Sequence, residues 1–193
     1  MTLVLVLLPV YNGSAHLKEQ VESILAQRDV HTLVLCRDDG STDGSVAELE
    51  ALAQRWPDRI VRITDTLGNL GASGNFSRLM DLALGHQAPA PWSGPVRYFA
   101  LSDQDDVWHS DKLHTCLAAM RQLETNRPGQ PALVHSDLRV IAEDGHEIAP
   151  SMARYQGLQT GLDSLAAQAL SNTLTGCTSL MNRELLETGL PAL

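Results

Sequence analysis

Three carboxylates lie within four consecutive residues of this sequence, at Asp103, Asp105 and Asp106. Because neighbouring like charges repel one another, such a cluster is kept for a bound cation, for proton chemistry, or because water solvates it. Carboxylate oxygens suit Mg²⁺ and Mn²⁺, and these ions complete their coordination shells with water and phosphate oxygens. The alternative is a solvated acidic loop that caps a helix starting near Ser110. Taken alone, the cluster favours the two interpretations equally.

A second acidic pair, Asp38 and Asp39, directly precedes the turn-forming residues 40–43. A carboxylate only accepts hydrogen bonds, so it can select the N3–H edge of uracil or thymine. The alternative is a cap and turn for the following helix, which accounts for Thr42 and Asp43. We therefore predict a ligand role for Asp39 and a turn role for Thr42 and Asp43.

A third candidate is the segment 68–75, which contains three glycines together with Asn69 and Asn75. Glycine allows the backbone to approach a ligand closely, and the free N–H groups at a helix start attract anions. The spacing G-x-x-G-x-x-G differs from the dinucleotide-binding pattern G-x-G-x-x-G, so the segment is weak support for a dinucleotide site.

Each of these segments follows an apolar run that predicts a buried strand. The runs lie at residues 3–10, 33–36, 60–63 and 98–101. They alternate with stretches of helical spacing, and Ser45 and Glu48 have the spacing of a capping box at the start of one such helix. Alternating strands and helices predict a three-layer α/β/α fold with a mostly parallel central sheet. Ligands bind beyond the carboxyl ends of such strands, so we expect both acidic motifs at one edge.

After about residue 130 the pattern changes to short strands, with a turn at Asp144 and Gly145. The spacing of Leu162, Leu165 and Ala169 then predicts a helix. We therefore divide the chain into two halves, residues 1–130 and 131–193.

Composition and charge narrow the classes of function. The 193 residues carry 14 basic and 23 acidic side chains, a formal charge of −9, so no basic footprint for nucleic acid is present. The three cysteines match no metal-ligand spacing and fit reduced thiols in a cytosolic protein. The apolar run 3–10 predicts a strand rather than a signal peptide or membrane span. Peripheral membrane association stays open.

The motifs occur in an order that resembles the family 2 glycosyltransferases, which are inverting enzymes of the GT-A (Rossmann-like) fold. They are PVYN at 9–12, DDGSTD at 38–43, GNLG at 68–71 and DQDD at 103–106. The segments SDQDDVW at 102–108, GCT at 176–178 and NREL at 182–185 resemble the rhamnosyltransferase-like branch.

The resemblance implies a site for a nucleotide sugar and a metal ion. The donor-binding residues that it implies are Pro9, Tyr11, Asn12, Asp38, Asp39, Asn69, Asn75 and Asp103. Asp39 would contact the base, and Asp105 and Asp103 would hold Mg²⁺ or Mn²⁺, with Asp103 nearer the ribose. Asp106 would assist them. Apart from the resemblance, Trp108 directly follows the acidic cluster, and we expect it to anchor that loop.

The resemblance also implies the reaction and its setting. A sugar would pass from a dTDP- or UDP-linked donor, dTDP-rhamnose among them, to a glycan or lipid-linked acceptor in bacterial polysaccharide biosynthesis. The expected location is the cytoplasm, including the inner face of the membrane. Residues 1–130 would form the nucleotide-sugar-binding half, and residues 131–193 would begin the acceptor-binding half.

The general base that an inverting transferase requires is not evident in this sequence. In similar proteins it lies beyond the Asn-Arg-Glu-Leu segment, so we expect it beyond residue 193, in a chain truncated at its C-terminus. Glu184 and Glu187 are the weaker candidates within the chain. We therefore expect this chain to bind metal and nucleotide but to transfer sugar poorly.

Two other classes of function compete with a transferase. A phosphotransferase that uses aspartate as its nucleophile places Asp-x-Asp after the first strand, whereas residue 37 is arginine and the motif follows the second strand. A nucleotide-sugar-binding module without catalysis would show the same donor motifs and lack the base.

Overall fold

Strands and helices alternate through most of the computed structural model, which describes residues 1–85, 94–158 and 174–189. The strands are β1 (Thr2–Val10), β2 (Val30–Asp38), β3 (Ile60–Ile63), β4 (Tyr98–Leu101), β5 (Leu133–His135), β6 (Val140–Ile141), β7 (Glu147–Ala149) and β8 (Ser179–Asn182). The helices are α1 (Leu17–Leu25), α2 (Ser45–Arg55), α3 (Gly71–Gly85), α4 (Lys112–Asn126), α5 (Met152–Tyr155) and α6 (Arg183–Gly189). The helix predicted from Leu162, Leu165 and Ala169 lies outside the described residues.

The central sheet contains six strands in the order β3-β2-β1-β4-β8-β5. β1 pairs in parallel with β2 and β4, and β2 pairs in parallel with β3, whereas β8 is antiparallel to both of its neighbours. The predicted α/β fold with a mostly parallel sheet is therefore confirmed. β5 and β8, which come from residues 131–193, extend the same sheet, and β6 and β7 form a separate hairpin around the turn predicted at Asp144 and Gly145.

Alternation along β1 divides the core into two layers because successive side chains point to opposite faces of a sheet. Val4, Val6 and Leu8 belong to the apolar cluster that contains the buried residues of α1, α2 and α4. Leu5 and Leu7 belong to the second cluster, with residues of α3 and α6. Each of these β1 side chains is fully buried and contributes about 1.5–3 kcal/mol of apolar burial. This arrangement gives the three layers that were predicted.

The strand register brings the candidate loops together. Val10 at the end of β1 pairs with Asp38 at the end of β2, and Leu7 pairs with Leu101 at the end of β4. The loops that follow these three strands therefore emerge at one edge of the sheet. None of the described helices combines the length and the apolar character needed to cross a bilayer.

Candidate donor-binding site

A cavity of about 570 Å³ opens at the carboxyl ends of β1, β2 and β4. Its lining residues are Pro9, Val10, Tyr11, Asp39, Asn69, Gly71, Ala72, Asn75, Phe76, Asp103, Gln104 and Asp105. Six of the predicted donor-binding residues line it, together with the predicted metal ligand Asp105. The other two, Asn12 and Asp38, lie in the adjoining loops and are not among the lining residues.

Asp39 is the most deeply buried carboxylate of this cavity, with 2% of its surface exposed. Its Oδ1 accepts hydrogen bonds from Arg37 Nη1 at 2.7 Å and from the backbone N–H of Leu70 at 2.8 Å. Its Oδ2 accepts one from the N–H of Gly71 at 2.8 Å, and Asn69 Nδ2 donates to the Asp39 carbonyl at 2.8 Å. A carboxylate offers about four acceptor positions, so three bonds leave one for a ligand. Asp39 thus fixes the glycine loop before α3 and keeps one acceptor position unused.

Arg37, which the sequence analysis considered only as an argument against a phosphotransferase, is the cation behind Asp39. Its guanidinium donates to Asp65 from Nε and Nη2 at 3.0–3.2 Å and to the Gly68 carbonyl at 2.8 Å. Arg37 Nη1 also donates to Asn75 Oδ1 at 3.3 Å, and Asn75 Nδ2 donates to the Arg37 carbonyl at 3.1 Å. Arg37 lowers the pKa of the Asp65 carboxyl to about 2, chiefly through these hydrogen bonds. The signal in the sequence is an arginine directly after the apolar run 33–36 and directly before two aspartates.

Asn12 and Asp38 hold the loops that frame the cavity. Asn12 has a left-handed backbone, with φ of 50°, and its side-chain oxygen accepts the N–H of Thr42 at 2.8 Å. Its own N–H donates to Ser41 Oγ at 2.8 Å. Asp38 Oδ2 accepts the N–H groups of Gly40 and Ser41 at 2.9 and 3.0 Å. Asn12 therefore joins the β1–α1 loop to the β2–α2 loop, and Asp38 fixes the turn of the β2–α2 loop itself.

The start of α2 differs from the predicted capping box. Gly44 occupies the cap position without a side-chain cap, and Ser45 already belongs to the helix. Ser45 Oγ accepts the N–H of Gly13 at 2.8 Å, while Asp43 accepts the N–H groups of Ser45 and Ser14 at 2.9 and 3.1 Å. A hydrogen bond from the Ser45 side chain, and then those from the backbone of Ser45 and Ser14, hold the pKa of the Asp43 carboxyl well below its usual range. The capping-box prediction was wrong because the serine hydroxyl binds a neighbouring loop, whereas the turn role predicted for Asp43 is confirmed.

The acidic loop after β4 brings together Asp103, Asp106 and Cys177, whose candidate ligand atoms lie within 4.8 Å of one another. Asp105, which the family resemblance paired with Asp103, is more exposed and lines the cavity outside this cluster. Burial, and then the Asp106 and Asp105 charges, raise the pKa of the Asp103 carboxyl. Asp106 Oδ2 is buried without a hydrogen-bond partner among the described residues, which is costly for a carboxylate oxygen. Crowded carboxylates with an unpaired buried oxygen are suited to a divalent cation.

Trp108 anchors the acidic loop, as predicted. Its side chain is buried, its backbone N–H donates to Ser23 Oγ at 3.0 Å, and Lys112 Nζ lies 4.0 Å from its ring centroid. Lys112 also donates to the Cys177 carbonyl at 3.2 Å, and burial lowers the pKa of its ammonium group. Lys112 therefore ties the acidic loop to the segment before β8.

Glu184 and Glu187, the weaker candidates for a general base, lie on α6 and are not among the residues that line the cavity. Glu187 accepts a hydrogen bond from Arg183 Nε at 2.7 Å, one helical turn away. The described part of the chain gives no support to either glutamate as a base that acts at this cavity.

Comparison with known proteins decides the family. The model of the glycosyl transferase family 2 matches residues 5–190, which is nearly the whole chain. The chain belongs to glycosyl transferase family 2. Among the relatives of this family 2 chain is the dTDP-rhamnosyl transferase RfbG of Shigella flexneri, 33% identical over 109 residues, with 55% of the chain and 34% of RfbG covered. The glycosyltransferase TuaG of Bacillus subtilis, whose name refers to teichuronic acid biosynthesis, is 28% identical over 187 residues, with 93% and 61% covered. The chain thus spans between a third and two thirds of the length of these relatives.

Solved structures confirm the fold of this family 2 chain. S. aureus TarS 1-349 in complex with UDP-GlcNAc matches with a TM-score of 0.64 and 16% identity, covering 98% of the chain and 47% of TarS. The mannosyltransferase PcManGT from Pyrobaculum calidifontis, in complex with GDP-Man and Mn²⁺, matches with a TM-score of 0.61 and 20% identity, covering 96% and 46%. At these identities the likeness establishes the GT-A fold and nothing finer.

Proposed function

We propose that this chain binds a nucleotide-diphosphate sugar together with Mg²⁺ or Mn²⁺, and that the protein transfers the sugar to a glycan or lipid-linked acceptor. The observation that carries the proposal is the composition of the cavity. On the β2 side of β1 the lining includes Asp39, a buried carboxylate with one unused acceptor position, and on the β4 side it includes Asp103 and Asp105 of the acidic loop. A base-recognising acceptor and a metal-binding loop in one cavity suit the two ends of a nucleotide diphosphate.

The nucleoside end of the donor is assigned to the side of Asp39. An ionised carboxylate accepts the N3–H of uracil or thymine and cannot donate to the unprotonated N3 of cytosine. Tyr11, with 49% of its surface exposed, and Phe76 supply aromatic surface for a base, and Asn69 and Asn75 border it. A dTDP- or UDP-sugar is the proposed donor, and the RfbG relative makes dTDP-rhamnose the first to test.

The diphosphate end is assigned to the acidic loop. Asp103 and Asp105 would hold the cation, with the unpaired oxygen of Asp106 beside them. A divalent cation at this point neutralises the charge that develops on the leaving diphosphate. None of the described residues that line the cavity is a lysine or arginine, so a bound cation would supply the positive charge that the donor phosphates meet among them.

The remaining parts of the proposal concern the acceptor. We assign donor binding to residues 1–130 and the beginning of acceptor binding to residues 131–193. Inversion at the anomeric carbon would need a base that deprotonates the acceptor hydroxyl. The biological role proposed is polysaccharide biosynthesis in the cytoplasm, including the inner face of the membrane, where the protein would associate peripherally.

A thermal-shift titration tests donor binding. UDP, dTDP and GDP are added with and without Mn²⁺ to the wild-type chain and to Asp103→Asn, Asp105→Asn and the control Asp81→Ala, an exposed residue of α3. A ligand at about 100 times its Kd stabilises the folded state by about 2.7 kcal/mol. At about 2–4 °C per kcal/mol, Tm should rise by roughly 5–10 °C with a pyrimidine diphosphate and Mn²⁺.

The variants identify the site. The Mn²⁺-dependent part of the shift should disappear in the Asp103 and Asp105 variants and persist in Asp81→Ala. No shift with any nucleotide, or an undiminished shift in both site variants, would refute the proposed function. Binding without turnover in a protein of the relatives' full length would favour a nucleotide-sugar-binding module instead, and a trapped aspartyl-phosphate would favour a phosphotransferase.

A further inference from the structure

Gln104 stands between the aspartates of the acidic loop and contacts a different loop. The N–H of Tyr11 donates to Gln104 Oε1 at 2.8 Å, and Gln104 Nε2 donates to the Tyr11 carbonyl at 2.9 Å. The two residues are 93 positions apart in the chain, and both line the cavity. One side-chain amide therefore satisfies both backbone polar groups of Tyr11, as a neighbouring strand would.

Gly13 provides the space that this amide occupies. A Cβ atom built on Gly13 would lie less than 3.0 Å from Cδ, Oε1 and Nε2 of Gln104, and these are its three nearest neighbours. Gly13 is not among the described residues with positive φ, so its backbone would accept a side chain. Gly13 is thus required because the Gln104 amide occupies the space that a Cβ atom would need, and not because of the backbone conformation of the turn.

The β1–α1 loop is held from both sides. On the side of β2, the N–H groups of Asn12, Gly13 and Ser14 donate to side chains of the β2–α2 loop and of the first residue of α2. On the side of β4, Gln104 provides both described hydrogen bonds of the Tyr11 backbone. Removing the amide would leave the Tyr11 end of the loop attached through β1 and its β2-side bonds alone.

We propose that Gln104 is a positioning residue that joins the nucleoside end of the site to its metal end. By fixing the Tyr11 backbone it holds the exposed Tyr11 ring beside the base, while Asp103 and Asp105 on either side of it face the diphosphate and cation. A glutamine amide meets this need because it donates and accepts in one plane, whereas glutamate cannot donate to the Tyr11 carbonyl. The inference rests on the proposed donor-binding function and adds a residue whose effect passes through Tyr11.

The test is a double-mutant cycle that uses the contact between Gly13 and Gln104. Calorimetry measures the Kd of the pyrimidine diphosphate that stabilises the wild-type chain, with Mn²⁺ present, for Gln104→Ala, Gly13→Ala and the double variant. Gln104→Ala should raise Kd about tenfold, the ratio expected from losing one to two neutral hydrogen bonds. Gly13→Ala should raise Kd to a similar extent, because the new methyl group displaces the amide at the flexible end of the Gln104 side chain. The double variant should bind no worse than Gln104→Ala, because the new methyl group fills the vacated space.

Two further measurements separate positioning from general stability. Tm should fall by no more than about 3–6 °C in the three variants, the equivalent of a tenfold change at about 2–4 °C per kcal/mol. Hydrogen exchange of the Tyr11 amide should be slow in the wild type and fast in Gln104→Ala and Gly13→Ala. In a Tyr11→Ala background, Gln104→Ala should change Kd by less than about twofold, since its effect passes through Tyr11. Gly85→Ala, where a Cβ meets nothing within 4 Å, is the matched control and should bind like the wild type.

The outcomes distinguish this inference from the proposed function. If the wild type binds no nucleotide, the proposed function fails, and rapid exchange of its Tyr11 amide would overturn the inference as well. If the wild type binds nucleotide and Gln104→Ala binds as tightly, the inference is wrong while the function stands. If the increase in Kd of the double variant equals the product of the increases in Gly13→Ala and Gln104→Ala, the inference is also wrong. Should either alanine variant fail to fold, Gln104→Glu keeps the size of the side chain and gives the same comparison of Kd and Tyr11 exchange.

Discussion

Replacing Arg37 by methionine removes the cation beneath the cavity while keeping a side chain of similar length. The side chains of Arg37 and Asp39 are each only 3% exposed, and that of Asp65 is 16% exposed. The substitution leaves two carboxylates without their partner in a region with little access for water. Both carboxylates keep other hydrogen-bond donors, since Asp39 retains two backbone N–H groups and Asp65 retains Arg78 at 3.3 Å.

The expected loss of stability follows from these contacts. Breaking a buried ion pair by removing one partner costs about 3–5 kcal/mol. Because Asp39 keeps two of its three hydrogen bonds, we take the lower end, about 3 kcal/mol. A change of 1 kcal/mol moves Tm by about 2–4 °C in a chain of this size, so Tm should fall by roughly 6–12 °C.

Differential scanning calorimetry and urea unfolding measure this change against a matched control. Arg28→Met removes a cation that is 67% exposed and 3.7 Å from Asp111, so it should cost no more than about 0.5 kcal/mol. Adding Asp39→Asn to Arg37→Met should restore part of the stability because it neutralises the buried charge. If Arg37→Met unfolds at the same temperature as Arg28→Met, the ion pairs of Arg37 with Asp39 and Asp65 do not stabilise the fold, and the reasoning is refuted.

Two further predictions concern protonation and thiol chemistry. The pKa of Asp65 is lowered from 3.8 to about 2 in the folded chain, so its stabilising contribution is present above pH 3.8 and is lost as the pH falls through about 2. The free energy of unfolding should decline over that interval and decline less in Asp65→Asn, and equal slopes would contradict the assignment. Cys36, Cys116 and Cys177 are buried and free, and burial raises the pKa of each thiol, that of Cys36 to about 12. A thiol reagent at neutral pH should therefore label the cysteines only after urea unfolding, and rapid labelling of the folded chain would show that one of them is accessible.

The sequence predicted the sheet and the position of the site because both depend on short-range patterns. Continuous apolar runs identify strands that are buried on both faces, and alternating helices require parallel connections between them. The carboxyl ends of such strands share one edge, so the two acidic motifs, at 38–39 and 103–106, were expected to meet there. The motif order also identified the family, which the match over residues 5–190 confirmed.

The tertiary structure decided which side chain of each loop faces the cavity. A loop has no fixed period, so its side-chain directions are set by whichever polar groups must be satisfied when loops from distant segments meet. Asn12 and Asp38 bind neighbouring backbone, Cys177 joins Asp103 across 74 positions, and Gln104 reaches Tyr11 across 93. The sequence alone determined where the donor motifs lie along the chain. Only the folded chain determined which side chains meet there, because hydrogen bonding and charge burial between segments are satisfied after the strands have paired.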